Sequence, residues 1–337
     1  MKRAIFNGVG KPLSIEAVER PRPAAHQALI KVERCGICGS DIHMTSGSPF
    51  DWPCGTALGH EYAGEVVEIA QDGLLKLGDR VTALPMSGCG ECEACRNGTP
   101  LHCKSMQPMA GGYSEYTLID QRTAMRLPDS VSFDDGALVE PLASSLRGVR
   151  RLTDIKNARV AVVGAGAIGA ASIFWARRFG AGSIVCIAPS RRGEALAGQL
   201  GADGFATLGD DLAANVAGVL GGVPDIVIEG AGAPGAIQQA IDLVRVGGTV
   251  LSLGGCLKPD TIIPVLGMMK ECDVRFSAAY SVQDFHTAID AFAGGAVEPR
   301  AMIGETLSLE DLPARFDAMR TGSHPAKVMV RPHQAAG

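Results

Sequence analysis

Residues 159–169 read Arg-Val-Ala-Val-Val-Gly-Ala-Gly-Ala-Ile-Gly, and an apolar stretch follows as far as Phe179. A short valine-rich run of this kind predicts a buried strand, and the glycines at 164, 166 and 169 predict a tight turn that opens a helix. In that context Gly164, Gly166, Ala167, Ile168 and Gly169 form a dinucleotide fingerprint. Glycine lets the backbone approach a pyrophosphate, and the start of the helix offers it partial positive charge. The run 160–176 is the most apolar in the chain, but it falls short of the roughly 20 residues of a membrane span and is broken by three glycines.

The same punctuation continues outward. A strand is expected over 183–188, a helix over 192–200, a strand over 225–229 that ends in Gly230-Ala-Gly232, a helix over 236–246, and a strand over 249–253 that ends in Gly254-Gly255. Alternating strands and helices predict an α/β fold, a doubly wound parallel sheet with helices on both faces. Leu253 and Gly254, at a strand end, join the candidate coenzyme contacts. About 20 residues beyond the glycines, NAD-binding units carry an acid for the ribose 2′-hydroxyl. Here Ala188 stands in that region, followed by Pro189, Ser190, Arg191 and Arg192. An acid would repel a 2′-phosphate and arginine pairs with one, so NADP is expected over NAD.

The first half has another texture. RAIFNG, ALIKVER, YAGEVVEIA, DRVTALP and SEYTLID are short runs split by glycine and proline, suited to half-buried antiparallel strands. No long helical pattern precedes Asp134. Near the C-terminus, helices are expected over 282–292 and 310–319. A last strand, AKVMVR, is expected to return to the first module.

The chain has 337 residues, enough for two domains, with 46% apolar and 20% charged residues. The net charge of −5, with no basic stripe, argues against nucleic acid or an anionic membrane as partner. The opening MKRAIFNGVGKPLS lacks the apolar core of a signal peptide. Ten cysteines without such a signal suit a reducing compartment, so a cytoplasmic location is expected.

Four cysteines crowd together as Cys89-x2-Cys92-x2-Cys95-x7-Cys103. Four thiolates so close predict a closed, structural zinc site. A second ligand set is dispersed. Cys38 lies in the run Cys35 to His43, His60 and Glu61 lie in Gly59-His60-Glu61, and Glu140 precedes Pro141. One thiol, one imidazole and a carboxylate suit a catalytic zinc that keeps an exchangeable position. Either Glu61 or Glu140 serves equally as the third ligand. Ser40 and His43 are candidates to take a proton from a zinc-bound alcohol and pass it to water. Cys35 and Cys54 have no assigned role.

These motifs together resemble the zinc-containing medium-chain alcohol dehydrogenases from end to end, nearest to the polyol, threonine and butanediol branch. The carriers are Gly36-Ile-Cys38-Gly-Ser40-Asp-Ile-His43, Gly59-His60-Glu61, the four clustered cysteines, Glu140-Pro141 and the glycine turn. The resemblance implies a GroES-like catalytic domain over 1–146, completed by 281–337, and a Rossmann domain over 147–280, with the active site in the cleft between them. It implies Cys38 rather than Cys35 as ligand, with His60 and Glu61 or Glu140, directly or through water. It implies Ser40 and His43 as the proton relay and a homo-oligomer, dimer or tetramer. Two zinc ions per chain follow, one catalytic and one structural. The expected reaction moves a hydride between a primary or secondary alcohol or diol and NADP, giving aldehyde or ketone.

Ala278-Ala279-Tyr280 stands where sorbitol-type members place an arginine before a tyrosine, which speaks against a sorbitol-like polyol. Phe50, Trp52 and Leu142 are positional candidates for the substrate wall. The alternatives are an NAD-dependent polyol or L-threonine-type dehydrogenase, a zinc-free quinone or enone reductase on the same scaffold, and a non-catalytic zinc-stabilised binding protein.

Overall fold

The computed structural model describes residues 1–47, 52–71, 73–321 and 325–333. The chain forms two compact units. One comprises Met1–Ala143, Tyr280–Ala296 and Ile303–Gly337, and the other Ser144–Ala279 and Val297–Met302. Sequence reading drew its boundaries at 146 and 280. The return of 297–302 to the second unit was not anticipated, and it arises because the short turn Glu298–Met302 packs on the helices Ala167–Arg178 and Glu194–Gln199.

The first unit is built on a seven-stranded sheet. Its path runs Ile303–Ser308, Lys327–Arg331, Gln27–Gly36, Glu61–Ile69, Arg80–Ala83, Ala124–Arg126, with Tyr116–Asp120 also paired to Gln27–Gly36. The closing strand therefore does rejoin the first module, antiparallel to Gln27–Gly36. Alternation along these strands sends Ala28, Ile30, Val32, Val66 and Val328 into one core with Tyr62, Tyr113 and Phe316.

Register decides what meets at the end of this sheet. Gly36 is the partner of Glu61 on one side and of Met329 on the other. The Ile37 amide donates to the Val328 carbonyl at 2.9 Å. The end of one strand, the start of a second and the entry to a third thus lie side by side. Cys38 follows immediately and caps the short helix Gly39–Met44.

The second unit holds a six-stranded sheet in the order Gly204–Thr207, Ser183–Ala188, Arg159–Val163, Ile226–Glu229, Thr249–Ser252, Asp273–Phe276, every pairing parallel. Strands Gly204–Thr207, Asp273–Phe276 and Ile303–Ser308 and the helix Leu212–Leu220 are absent from the sequence reading. Asp273–Phe276 alternates polar and apolar residues over only four positions, too short a run to stand out, and glycine and asparagine dilute the helical signal of LAANVAGVL. The helix expected over 192–200 begins as a tight turn, Arg191–Gly193, and becomes α-helical over Glu194–Gln199. Among the described residues no helix is long and apolar enough to cross a membrane.

The glycine turn is sterically fixed. Gly164 has φ +105°, where a side chain is strained. A Cβ on Gly169 would sit 1.9 Å from the Gly164 carbonyl oxygen, so strand end and helix start touch backbone to backbone. Gly169→Ala is expected to lower the melting temperature by about 5 °C or more. Differential scanning fluorimetry reads this, and a coenzyme titration by nicotinamide fluorescence should show weakened binding in the folded variant.

Candidate active site

Cys38, His60 and Glu61 come together in the first unit. One potential ligand atom from each lies within 4.8 Å of the others. The His60 ring is fixed from behind by a residue that sequence reading did not single out. Its Nδ1 stands 3.2 Å from Asp41 Oδ1, while Nε2 faces the Ser40 hydroxyl at 3.4 Å. An Nδ1–H donated to this carboxylate leaves the Nε2 lone pair for a metal. Tyr113 in turn donates its hydroxyl to Asp41 Oδ2 at 2.6 Å, and both residues are fully enclosed. Burial alone would raise the Asp41 carboxyl, but the charge of His60 and hydrogen bonds from His60, Tyr113 and the Cys38 amide hold it below the usual value. Burial works against a charged His60; the charges of Asp41 and Cys38 outweigh it and place the metal-free imidazole well above its usual pKa.

Glu61 is completely buried. Its Oε1 accepts from Lys327 Nζ at 2.5 Å, whereas its Oε2 is buried with no hydrogen-bond partner among the described residues. Such a carboxylate oxygen beside a thiol and an imidazole is a donor suited to a cation. The donor set fits zinc. Gly36 makes room for the Glu61 carboxylate, since a Cβ there would lie 2.0 Å from Glu61 Oε2. Burial disfavours the Lys327 charge, but Glu61, Cys38 and Glu140 carry its pKa above the ordinary lysine value.

Glu140, on the helix Phe133–Val149, is not part of the three-residue group, though it is buried within the electrostatic reach of His60, Glu61 and Lys327. It hydrogen-bonds the buried Tyr280 hydroxyl. Burial first, and then the Glu61 charge, push its carboxyl up to about 7. His43 sits on an exposed face at the end of the short helix Gly39–Met44. Cys35 is buried, and burial pushes its thiol well up, as expected for an inert core cysteine. Trp52 packs against the first core, Leu142 is fully buried, and Phe50 lies outside the described residues.

The four clustered cysteines converge as well, with all sulfurs within 4.8 Å of one another. Cys89 and Cys95 sulfurs are 4.0 Å apart, too far for a disulfide, and all ten cysteines are free. The Cys92 amide donates to Cys89 Sγ at 3.3 Å, and the Cys89 and Ser105 amides to Cys103 Sγ at 3.4 Å. Amides of Glu91 and Cys92 draw the Cys89 thiol down to about 6, and Cys103 is lowered in the same way, whereas burial pushes Cys95 up to about 12. Four sulfurs with amides aimed at two of them fit a closed zinc site.

In the second unit, the turn Gly164 to Gly169 leads into the helix Ala167–Arg178, and the space beside Gly166 is open. At the end of Ser183–Ala188, Arg192 Nε donates to Ser190 Oγ at 3.2 Å. Arg191 instead forms a two-point pair with Glu194, a partner the sequence reading did not weigh. Leu253 and Gly254 donate their amides to the Glu229 carbonyl at 2.7 and 3.0 Å. The buried Glu229 side chain accepts from the amides of Ala231 and Gly232 at 2.8 and 2.7 Å and from Ser252 Oγ at 3.1 Å.

Comparison with known proteins places this geometry. Residues 24–129 match the alcohol dehydrogenase GroES-like domain, and residues 167–294 match the zinc-binding dehydrogenase family. The (R,R)-butanediol dehydrogenase of Bacillus subtilis (strain 168) is 31% identical over 96% of this chain and 97% of its own. The chain belongs to the zinc-containing medium-chain alcohol dehydrogenases. The sorbitol dehydrogenase of the same bacterium is 29% identical over 99% of this chain and 98% of its own, which agrees with the polyol and butanediol branch. A structure from Sinorhizobium meliloti 1021, assigned as a zinc-binding dehydrogenase and bound to NADP, superposes with a TM-score of 0.88 at 31% identity, covering 98% of this chain and 99% of the other.

This dehydrogenase therefore combines a GroES-like domain with a Rossmann sheet, uses zinc and a nicotinamide dinucleotide, and acts on alcohols or polyols. Asp41, Tyr113 and Lys327, which contact the candidate group, and Glu229, which contacts the loop beside Leu253, were not singled out from the sequence. Asp41 lay in plain view between Ser40 and His43. Lys327 had a weaker signal, a single charge entering an apolar strand.

The elevated Glu140 carboxyl has a consequence for stability. Its unfolded value is the ordinary 4.5, and its folded metal-free value is about 7. Between these limits the folded chain holds a proton that the unfolded chain has released, so metal-stripped protein should lose stability as pH rises through that window. Glu140→Gln should flatten this decline. Urea midpoints of both proteins, stripped of metal, at about pH 5 and about pH 7.5 test it. A decline equally steep in the variant would remove Glu140 as the cause.

Proposed function

We propose that this dehydrogenase oxidises a primary or secondary alcohol or diol reversibly with NADP, using Cys38, His60 and Glu61 as the ligands of a catalytic zinc and Cys89, Cys92, Cys95 and Cys103 as those of a structural zinc. The observation that carries the reading is the Ser40 hydroxyl lying against the His60 face that Asp41 leaves free, within a group whose Glu61 Oε2 has no hydrogen-bond partner among the described residues. Bound zinc supplies Lewis acidity to the substrate oxygen, and the nicotinamide exchanges the hydride. The chain supplies the rest. Asp41 fixes the His60 tautomer, Ser40 receives the hydroxyl proton, and the exposed His43 delivers it to water. Glu140 stands behind as a buried acid that adjusts the charge of the group.

For the coenzyme, Ala188 removes the repelling acid, and Ser190 with Arg192 offers a hydroxyl and a guanidinium for a 2′-phosphate. The NADP in the S. meliloti relative supports this choice. Gly164, Gly166, Ala167, Ile168 and Gly169 would cradle the pyrophosphate, with Leu253 and Gly254 nearby in sequence order along the next strand ends. A second reading, an NAD-dependent polyol or L-threonine-type enzyme, draws on Glu194, whose carboxylate occupies Arg191 and would oppose a phosphate. An alcohol panel with both coenzymes, read by absorbance of the reduced form, decides between them. Arg192→Ala should weaken NADP at least about tenfold more than NAD, the size of one lost charge-assisted pair. Metal analysis should find two zinc ions per chain, and Cys38→Ser should lose one of them with its turnover. Retention of both metal and turnover would refute the site.

A homo-oligomer accompanies this proposal. Asp273–Phe276 is an edge strand of the six-stranded sheet, and beside it in sequence Met268, Met269 and Phe276 are 73%, 75% and 63% exposed. A second copy related by a two-fold axis would pair the same edge and cover the same side chains. Light scattering should give at least a dimer, and Phe276→Asp should shift it to the monomer.

A further inference from the structure

We infer that Lys327 is an internal counter-ion for the Cys38–His60–Glu61 group, one that holds Glu61 when metal is absent and keeps it a displaceable ligand when metal is bound. The inference rests on the assignment of a metal to that group. Lys327 and Glu61 are both sealed from solvent, with side chains 1% and 0% exposed, and their contact is 2.5 Å. The ammonium is itself anchored, because it also donates to the Ile37 carbonyl at 3.2 Å, one residue before Cys38. It cannot follow Glu61 freely, and Glu61 is confined on its other side by the backbone at Gly36.

The two carboxylate oxygens are thereby divided. Oε1 belongs to the lysine, and Oε2 alone remains for a cation. Two electrostatic effects of one sign follow. A carboxylate whose charge is shared with an ammonium is a weaker donor, and the ammonium repels a divalent ion placed close by. Without the lysine, a metal-free chain would contain a buried carboxylate stripped of its direct ion-pair partner, which is strongly destabilising. Lys327 thus makes the folded site independent of the metal and loosens the hold of Glu61 on it.

The test compares wild type, Lys327→Met, Lys327→Gln and Lys327→Arg, each loaded with zinc. Metal content, the rate of zinc loss to excess chelator, and melting temperatures with and without metal are measured. Zinc should leave the Cys38 group of Lys327→Met at least roughly tenfold more slowly, with a lowered metal-free melting temperature and a wider gap to the loaded form. Lys327→Gln, which keeps a donor for the Ile37 carbonyl, should show the slow release with less loss of stability and serves if the methionine variant does not fold. Lys327→Arg should release metal at the wild-type rate. Release from the neutral variants at the wild-type rate or faster overturns the inference alone. A wild-type chain that binds only one zinc, or a Cys38→Ser chain that keeps two, overturns the metal assignment and the inference with it.

Discussion

A glycine at the end of a strand allows a buried charge pair to form, and the active-site half of this dehydrogenase is arranged around that pair. Gly36 has no side chain, so the Glu61 carboxylate occupies the space a Cβ would fill and meets Lys327 across it. Three strands must be in register for this to happen, one from each end of the first domain's sequence and one between them. A slip of one residue would turn each of these side chains to the opposite face. The ion pair offers little net stability, because desolvation of both groups offsets most of their attraction. Its effect is to specify geometry, since a mispaired sheet would bury either charge alone.

The Cys38–His60–Glu61 group shows a layered arrangement of support. Asp41 orients His60, and Tyr113 and the Cys38 amide orient Asp41. Along the side chains from His60 to Asp41 to Tyr113 burial deepens, so the low dielectric strengthens these contacts. The cysteine lobe is organised differently. It has few buried side chains of its own, and backbone amides point at Cys89 and Cys103, so its order depends on what the sulfurs bind. In the Rossmann domain a buried carboxylate has yet another use. Glu229 receives the amides of one loop and the hydroxyl of the neighbouring strand, and it fixes two strand ends at once without an opposite charge.

Much of this was legible in the chain alone. The strand, glycine turn and helix at 159–179 were readable because they are local: steric freedom at glycine and apolar periodicity act over a few residues. The four cysteines were readable because their spacing already restricts them to one loop. The dispersed group was harder. Its residue types suggested zinc, but two carboxylates competed for the third position. Their roles differ in the fold because Glu61 opens a strand next to Gly36, while Glu140 projects from a helix toward Tyr280. Short edge elements such as Asp273–Phe276 were hard to see, because an alternation of four residues is too brief to stand out from a loop.

The sequence by itself determined the chemistry available, namely thiols, an imidazole, carboxylates and a glycine turn, because residue identity and short spacing fix donor type and local backbone freedom. Tertiary structure alone decided which carboxylate lies with Cys38 and His60, which charge opposes it, and which arginine is already paired. Those outcomes depend on register and burial between segments far apart in the chain, and no local pattern encodes the distance at which two buried charges finally meet.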